Sequence, residues 1–144
     1  MKREVQIKIT GIQSYDHQQD SSSDRIELVT EGILSVDNGK IIVSYEETEL
    51  TGLAGTITSF EVEDGAVTLR RSGTVSSCME FILKKPHQSL YVTEMGTLLI
   101  TVTARKIENH LDERGGNLTV AYVIDIEDLG MGEIEYQLSV TPLN

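Results

Sequence analysis

The chain has 144 residues, 39% of them hydrophobic, with 23 acidic against 12 basic side chains and a formal net charge of -11. That length suits one domain with a sizeable core, and the composition excludes a globally disordered chain. The charge disfavours a nucleic-acid partner, because such affinity comes largely from cations displacing counterions, and adjacent bases occur only as short pairs such as Arg70-Arg71.

With no Trp, two Phe and five Tyr, the core must be mainly Val, Ile and Leu. The single cysteine, Cys78, allows no intrachain disulfide, and the start Met1-Lys2-Arg3-Glu4 shows no apolar leader, so a reducing cytoplasm is the expected setting. No stretch has the length and apolarity of a transmembrane helix, and no membrane partner is expected.

Period-two alternation of apolar and polar residues dominates the chain, the pattern of half-buried strands. Val5, Ile7 and Ile9 alternate with Gln6, Lys8 and Thr10, and residues 13–24 then read as a polar loop. Ile26, Leu28, Leu34 and Val36 share a face, interrupted by Gly32, which predicts a bulge or a barrel corner. Asn38-Gly39 suits the positive φ values of a type I′ turn and predicts a hairpin from Ile26 to Thr48. Glu63-Asp64-Gly65 marks a second turn, joining Ile57–Val62 to Val67–Arg71. One long strand is predicted from Val75 to Leu83, ended by Pro86, which has no N–H to give a ladder. Leu90–Thr93 and Leu98–Lys106 follow, then a connection over Asn109–Asn117 with room for one helical turn. Leu118–Ile126, a loop over Glu127–Gly132 and Ile134–Val140 complete the chain.

This spacing predicts an all-β fold, a single antiparallel barrel of about eight to ten mostly up-and-down strands over residues 1–144. A two-sheet sandwich has the same periodicity; closure into a barrel is favoured because it removes both sheet edges.

His17, His87 and His110 lie in polar connections without metal-ligand spacing and are expected to be ordinary surface residues. Cys78 has no neighbouring base to activate it and reads as a small strand side chain. The runs Glu46-Glu47-Thr48-Glu49 and Asp125-Ile126-Glu127-Asp128 lack the calcium-loop pattern and read as solvated faces. No glycine-rich phosphate loop precedes a helix, so neither a cofactor nor a metal is expected.

One conflict between charge and pattern stands out. The face carrying Val43 continues to Tyr45 and Glu47, and the face carrying Leu69 continues to Arg71. Charged groups directed inward need partners. Glu47 and Arg71 are therefore expected in one internal polar cluster with Tyr45, Tyr91 or Tyr122. That cluster is either an ion pair at a barrel end or the anchor for a ligand's head group.

The series Tyr45-Glu46-Glu47-Thr48-Glu49, Thr51-Gly52, Thr56 and Val67-Thr68-Leu69-Arg70-Arg71-Ser72-Gly73 resembles the YwiB-like family of small bacterial proteins, a domain of unknown function. Met79–Phe81, Tyr91-Val92-Thr93, Gly96-Thr97-Leu98, Gly115-Gly116 and Tyr122 extend the resemblance, from Ile7 to about Val140. The resemblance implies a calycin-like barrel, related in architecture to lipocalins and fatty-acid-binding proteins, and no activity.

The leading functional expectation is a non-enzymatic module binding a small, partly apolar (amphipathic) molecule through Tyr45, Glu47, Arg71, Tyr91 and Tyr122. The alternative is a structural or interaction protein, possible as a homodimer, acting through outer apolar residues such as Ile33, Ile82, Leu99 and Val123. Catalysis ranks third, since no nucleophile–base pair is evident.

Overall fold

The structure, a computed structural model, describes residues 1–15, 24–127 and 129–143. Its strands in chain order are β1 (Lys2–Tyr15), β2 (Asp24–Asp37), β3 (Lys40–Glu46), β4 (Thr56–Glu63), β5 (Ala66–Gly73), β6 (Ser77–Phe81), β7 (Pro86–Thr93), β8 (Gly96–Asp112), β9 (Gly115–Ile126) and β10 (Gly130–Pro142). A 3-10 turn, Glu49–Thr51, lies between β3 and β4.

The strands form one antiparallel sheet in the order β6-β5-β4-β3-β2-β1-β10-β9-β8-β7, so chain neighbours are sheet neighbours and β1 pairs with β10. The sheet rolls until its edges, β6 and β7, meet. That seam is sparsely bonded: Ser76 and Val92 exchange two main-chain bonds of 2.9 Å, and the Lys85 N–H donates to the Ile82 carbonyl at 3.0 Å. Between them the Glu80 N–H donates to His87 Nδ1 at 3.2 Å instead of to a carbonyl. The result is an all-β, nearly closed, ten-stranded barrel.

Alternation fills the interior. Val5, Ile7, Leu34, Val43, Phe60, Leu69, Phe81, Ile100, Val102 and Leu118 are buried. The predicted turn at Asn38-Gly39 forms with φ of 52° and 79°, and Asp37 pairs with Lys40 across it.

Several element boundaries differ from the sequence reading. The loop expected over residues 13–24 begins later, since Gln13 pairs with Ile134 and Asp24 with Gln13. The rest of that loop, including His17, lies outside the described residues, as does residue 128 of the second acidic run. The strand expected over Val75–Leu83 shortens to Ser77–Phe81, and Leu83 is exposed. Pro86 opens β7 rather than only closing β6, at a strand's first position where its missing N–H costs no ladder bond. The connection expected over Asn109–Asn117 is a tight hairpin instead: β8 runs to Asp112, β9 starts at Gly115, and Arg114 N–H donates to Asp112 Oδ1 at 2.7 Å. The loop expected over Glu127–Gly132 ends earlier, because β10 begins at Gly130.

Gly32 carries no bulge. It is a close approach: a Cβ here would run into the Ser44 carbonyl oxygen and the Ile7 side chain. The one register shift among the described pairings lies between Ala104 and Lys106.

Candidate functional site

Cross-strand register stacks the inner face of β3 to β6 in three rows. The lowest is Ile41–Val62–Val67–Phe81 and the next is Val43–Phe60–Leu69–Met79. The third is Tyr45–Thr58–Arg71–Ser77. Polarity thus rises along the barrel axis within one set of strands, and the third row lies at the end where β3 to β4 and β5 to β6 connect.

All four members of the polar row are buried, with Thr58 at 0% and Arg71 at 9% exposure. Glu47, just past β3, is also buried and extends the ladder through its N–H to the Thr56 carbonyl at 2.8 Å. Its carboxylate is well supplied with donors. Thr58 Oγ1 donates to Oε2 at 2.6 Å and Thr51 Oγ1 to Oε1 at 3.1 Å. Burial, and then the neighbouring Glu47, push the Tyr45 phenol far above its ordinary pKa, so it stays a neutral donor; Arg71 opposes this weakly.

Arg71 is supplied differently. Its terminal nitrogen donates to the Tyr136 hydroxyl at 3.3 Å, and its buried Nε has no partner. Among the described residues no carboxylate lies within 4.0 Å of the guanidinium. Burial works against its charge, but the oxygens of Tyr136, Tyr122 and Tyr91 outweigh burial and hold its pKa above the ordinary value. Burial also raises the Tyr122 phenol, with Tyr136 next in effect. Arg71 is therefore a permanent cation.

Among the described residues, the other unpartnered buried side-chain atoms are two serine hydroxyls. Ser77 is the direct neighbour of Arg71 across β5 and β6, and its hydroxyl has no partner; nor has that of Ser89 on β7, across the seam. The Ser76–Val92 bridge puts Ser77 opposite Tyr91. A ring series, Phe81–Tyr122 at 4.5 Å, Tyr122–Tyr136 at 6.4 Å and Tyr136–Phe60 at 5.9 Å, crosses the interior. On β7 the inner residues His87, Ser89, Tyr91 and Thr93 are only half-buried, so this side of the interior is incompletely covered.

The structure buries Tyr45 and Glu47 at the same end of the barrel and bonds Arg71 to Tyr136, whose ring centroid lies 6.4 Å from that of Tyr122, while Tyr91 lies opposite Ser77 on the next strand. It does not join Glu47 and Arg71 as an ion pair; the two are linked through Thr58, which bonds Glu47 and sits beside Arg71 in the row. Sequence reasoning missed Tyr136, Thr58, Ser77 and Ser89. The inner-face alternation of β10 with Ile134 and Leu138 was a signal for Tyr136, but strand curvature decides which strand faces Arg71.

Three surface clefts stand out. The largest, about 640 Å³, is lined in part by Tyr45 and Glu47, and none of the three is lined by Arg71, Tyr91 or Tyr122. No three His, Cys, Asp or Glu side chains converge on a metal-sized site among the described residues, and no helix is long and apolar enough to cross a membrane. Of the outer apolar residues, Ile33 is exposed, whereas Ile82, Leu99 and Val123 are half-buried. β1 and β10 separate Ile33 on β2 from Val123 on β9.

Residues 7–138 match the family described as a domain of unknown function, DUF1934. The chain belongs to this family. It is similar to the uncharacterized beta-barrel protein YwiB of Bacillus subtilis (strain 168), with 29% identity over 109 residues, 76% of this chain and 75% of that one. The crystal structure of the YwiB protein from Bacillus subtilis superimposes with a TM-score of 0.79 at 22% identity, covering 96% of this chain and 92% of that one. The barrel architecture is shared, and YwiB is described as uncharacterized.

Proposed function

We propose that this protein binds a small, partly apolar molecule whose anionic group seats on Arg71. The observation that carries the reading is a buried guanidinium with an unpartnered Nε and no carboxylate within 4.0 Å. An isolated buried cation is costly, and a planar anion accepting two of its N–H bonds is the partner its geometry favours. Glu47 does not compete for that role, because its oxygens already accept from Thr58 and Thr51. The unpartnered Ser77 hydroxyl is a further donor beside the same position.

The filled part of the barrel limits the rest of the ligand. Phe60, Leu69, Phe81 and Leu34 leave no room for a long acyl chain in the apolar rows. The half-buried Leu28, Tyr91, Ile134 and Tyr136 supply apolar contact above them. A short aliphatic or aromatic monocarboxylate fits these constraints. A dianion fits less well, since one guanidinium balances one charge and Glu47 is close by.

Native mass spectrometry of protein purified from its own host, followed by calorimetry with benzoate, butyrate and their amides, tests the reading. Retention of a small acid, and binding of carboxylates but not amides, is expected. Absence of any retained molecule together with no carboxylate binding refutes it.

A further inference from the structure

We propose that the outer cleft between β2 and β3 accepts an extended, basic polypeptide segment as an added strand. The starting observation is a mismatch of strand lengths. β2 spans Asp24–Asp37, but β3 pairs with it only from Ile33 to Asp37. The stretch Arg25–Gly32 is laddered to β1 on one side alone. Among the described residues no other main-chain bond reaches that stretch from the β3 side. In an antiparallel strand, every second residue directs its N–H and C=O to that free side.

Gly32 is where the two strands part. The backbone of Ser44 packs onto its α-carbon, and beyond this point β2 and β3 diverge. The cleft of about 640 Å³ occupies the gap, bounded by Thr30–Ile33 on one wall and Ser44–Thr48 on the other. Natural sheets blunt such edges with proline, charged side chains (lysine above all) or a bulge. Arg25–Gly32 has no proline, lysine or bulge, and two of its three charged residues, Glu27 and Glu31, are acids that disfavour an acidic strand and leave a basic one welcome.

The lining selects the occupant. Exposed Ile33 and Ile57 give the cleft apolar contact points, and its charged residues, Glu4, Glu31, Glu46 and Glu47, are all acidic. A strand adding to β2 would present alternate side chains to this surface. Lysine or arginine alternating with β-branched residues matches both the acids and the apolar points. A second copy of this chain matches poorly: pairing two β2 edges would oppose Glu27 and Glu31 of like-charged copies, each of net charge -11.

The test is fluorescence anisotropy of the full chain with a labelled synthetic peptide alternating Lys and Val, alongside hydrogen exchange. Saturable binding with new amide protection in Arg25–Gly32 is expected. The exposed double variant Glu31→Lys/Glu46→Lys should weaken it by about tenfold or more. N-methylation of alternate peptide amides should abolish it while preserving charge. Equal binding by the N-methylated peptide overturns strand addition, and equal binding by a Glu-for-Lys peptide overturns the charge argument. No binding by any peptide overturns the inference, as does sedimentation showing that this edge instead pairs two copies of the chain.

Discussion

Replacing Arg71 by methionine separates a functional cation from a structural one. The unliganded protein buries this guanidinium with one hydroxyl bond, to Tyr136, and an unpartnered Nε. Removing the charge relieves a desolvation cost of several kcal/mol and forfeits a charged hydrogen bond of about 1.5–3 kcal/mol. The two nearly offset, and Met fills a comparable volume, so Arg71→Met should stabilise the unliganded protein by about 1 kcal/mol. For a chain of this size that raises Tm by about 3 °C. A saturating monocarboxylate tells the opposite story. If it binds as proposed, at about one hundred times Kd it should stabilise the parent by about 2.7 kcal/mol, or about 8 °C, and Arg71→Met should show none of this. Urea melts and thermal melts with and without benzoate read both quantities. A loss of about 3 kcal/mol or more in the unliganded variant would refute the reasoning, because that is the signature of breaking a buried structural pair.

Glu47→Gln keeps shape but removes the charge that Thr58 and Thr51 serve at 2.6 and 3.1 Å, and should cost about 1–3 kcal/mol in urea denaturation. Gly32→Ala forces a Cβ into the Ser44 carbonyl and should cost about 2–4 kcal/mol by the same assay, although alanine is otherwise harmless in an exposed strand. Glu61 on the outer face is partly buried, which raises its pKa. Arg70 at 2.9 Å and Lys40 at 3.5 Å outweigh this and hold it below the ordinary carboxylate value. Its contribution is therefore present above the unfolded pKa, about 4.3, and is lost as pH falls through the lower folded value. Screening of the exposed cations keeps it below about 1 kcal/mol. Stability against pH should consequently fall less steeply on the acid side in Glu61→Gln than in the parent.

What was legible in the chain follows the range of the forces involved. Strand alternation is local, so Tyr45, Glu47 and Arg71 could be directed inward by counting from Val43 and Leu69. The Asn38-Gly39 turn is equally local, since its positive φ values need those residue types. Tyr136 meets Arg71 from residues far away in sequence, and the meeting depends on how the sheet rolls shut. Counting within a strand carries no such information. Asn109–Asn117 misled for another reason. Glu108, Asn109 and His110 are all exposed, so the segment lacks the half-buried alternation of a strand. Main-chain pairing with Gly116–Thr119 nevertheless holds it in the sheet. Glycines at φ of 113° and 124° start the returning strand, in conformations that other residues rarely adopt.

The three-row arrangement also explains how one small barrel can hold a cost such as Arg71. The two apolar rows, with Phe60, Leu69, Met79 and Phe81 almost completely buried, supply stabilisation that does not depend on the row above them. The polar row adds little and contains unmet hydrogen-bonding groups at Arg71 and Ser77. Those groups lie beside the least continuous part of the wall, where β6 and β7 share few main-chain bonds. A buried polar group left unmet in an otherwise well-packed β-protein is unusual, because each costs about 1–3 kcal/mol. Here the apolar rows can bear that cost, and an anion entering the third row would recover it. On the proposed reading, the stability of the lower barrel and anion binding in the upper row should therefore be separable by mutation.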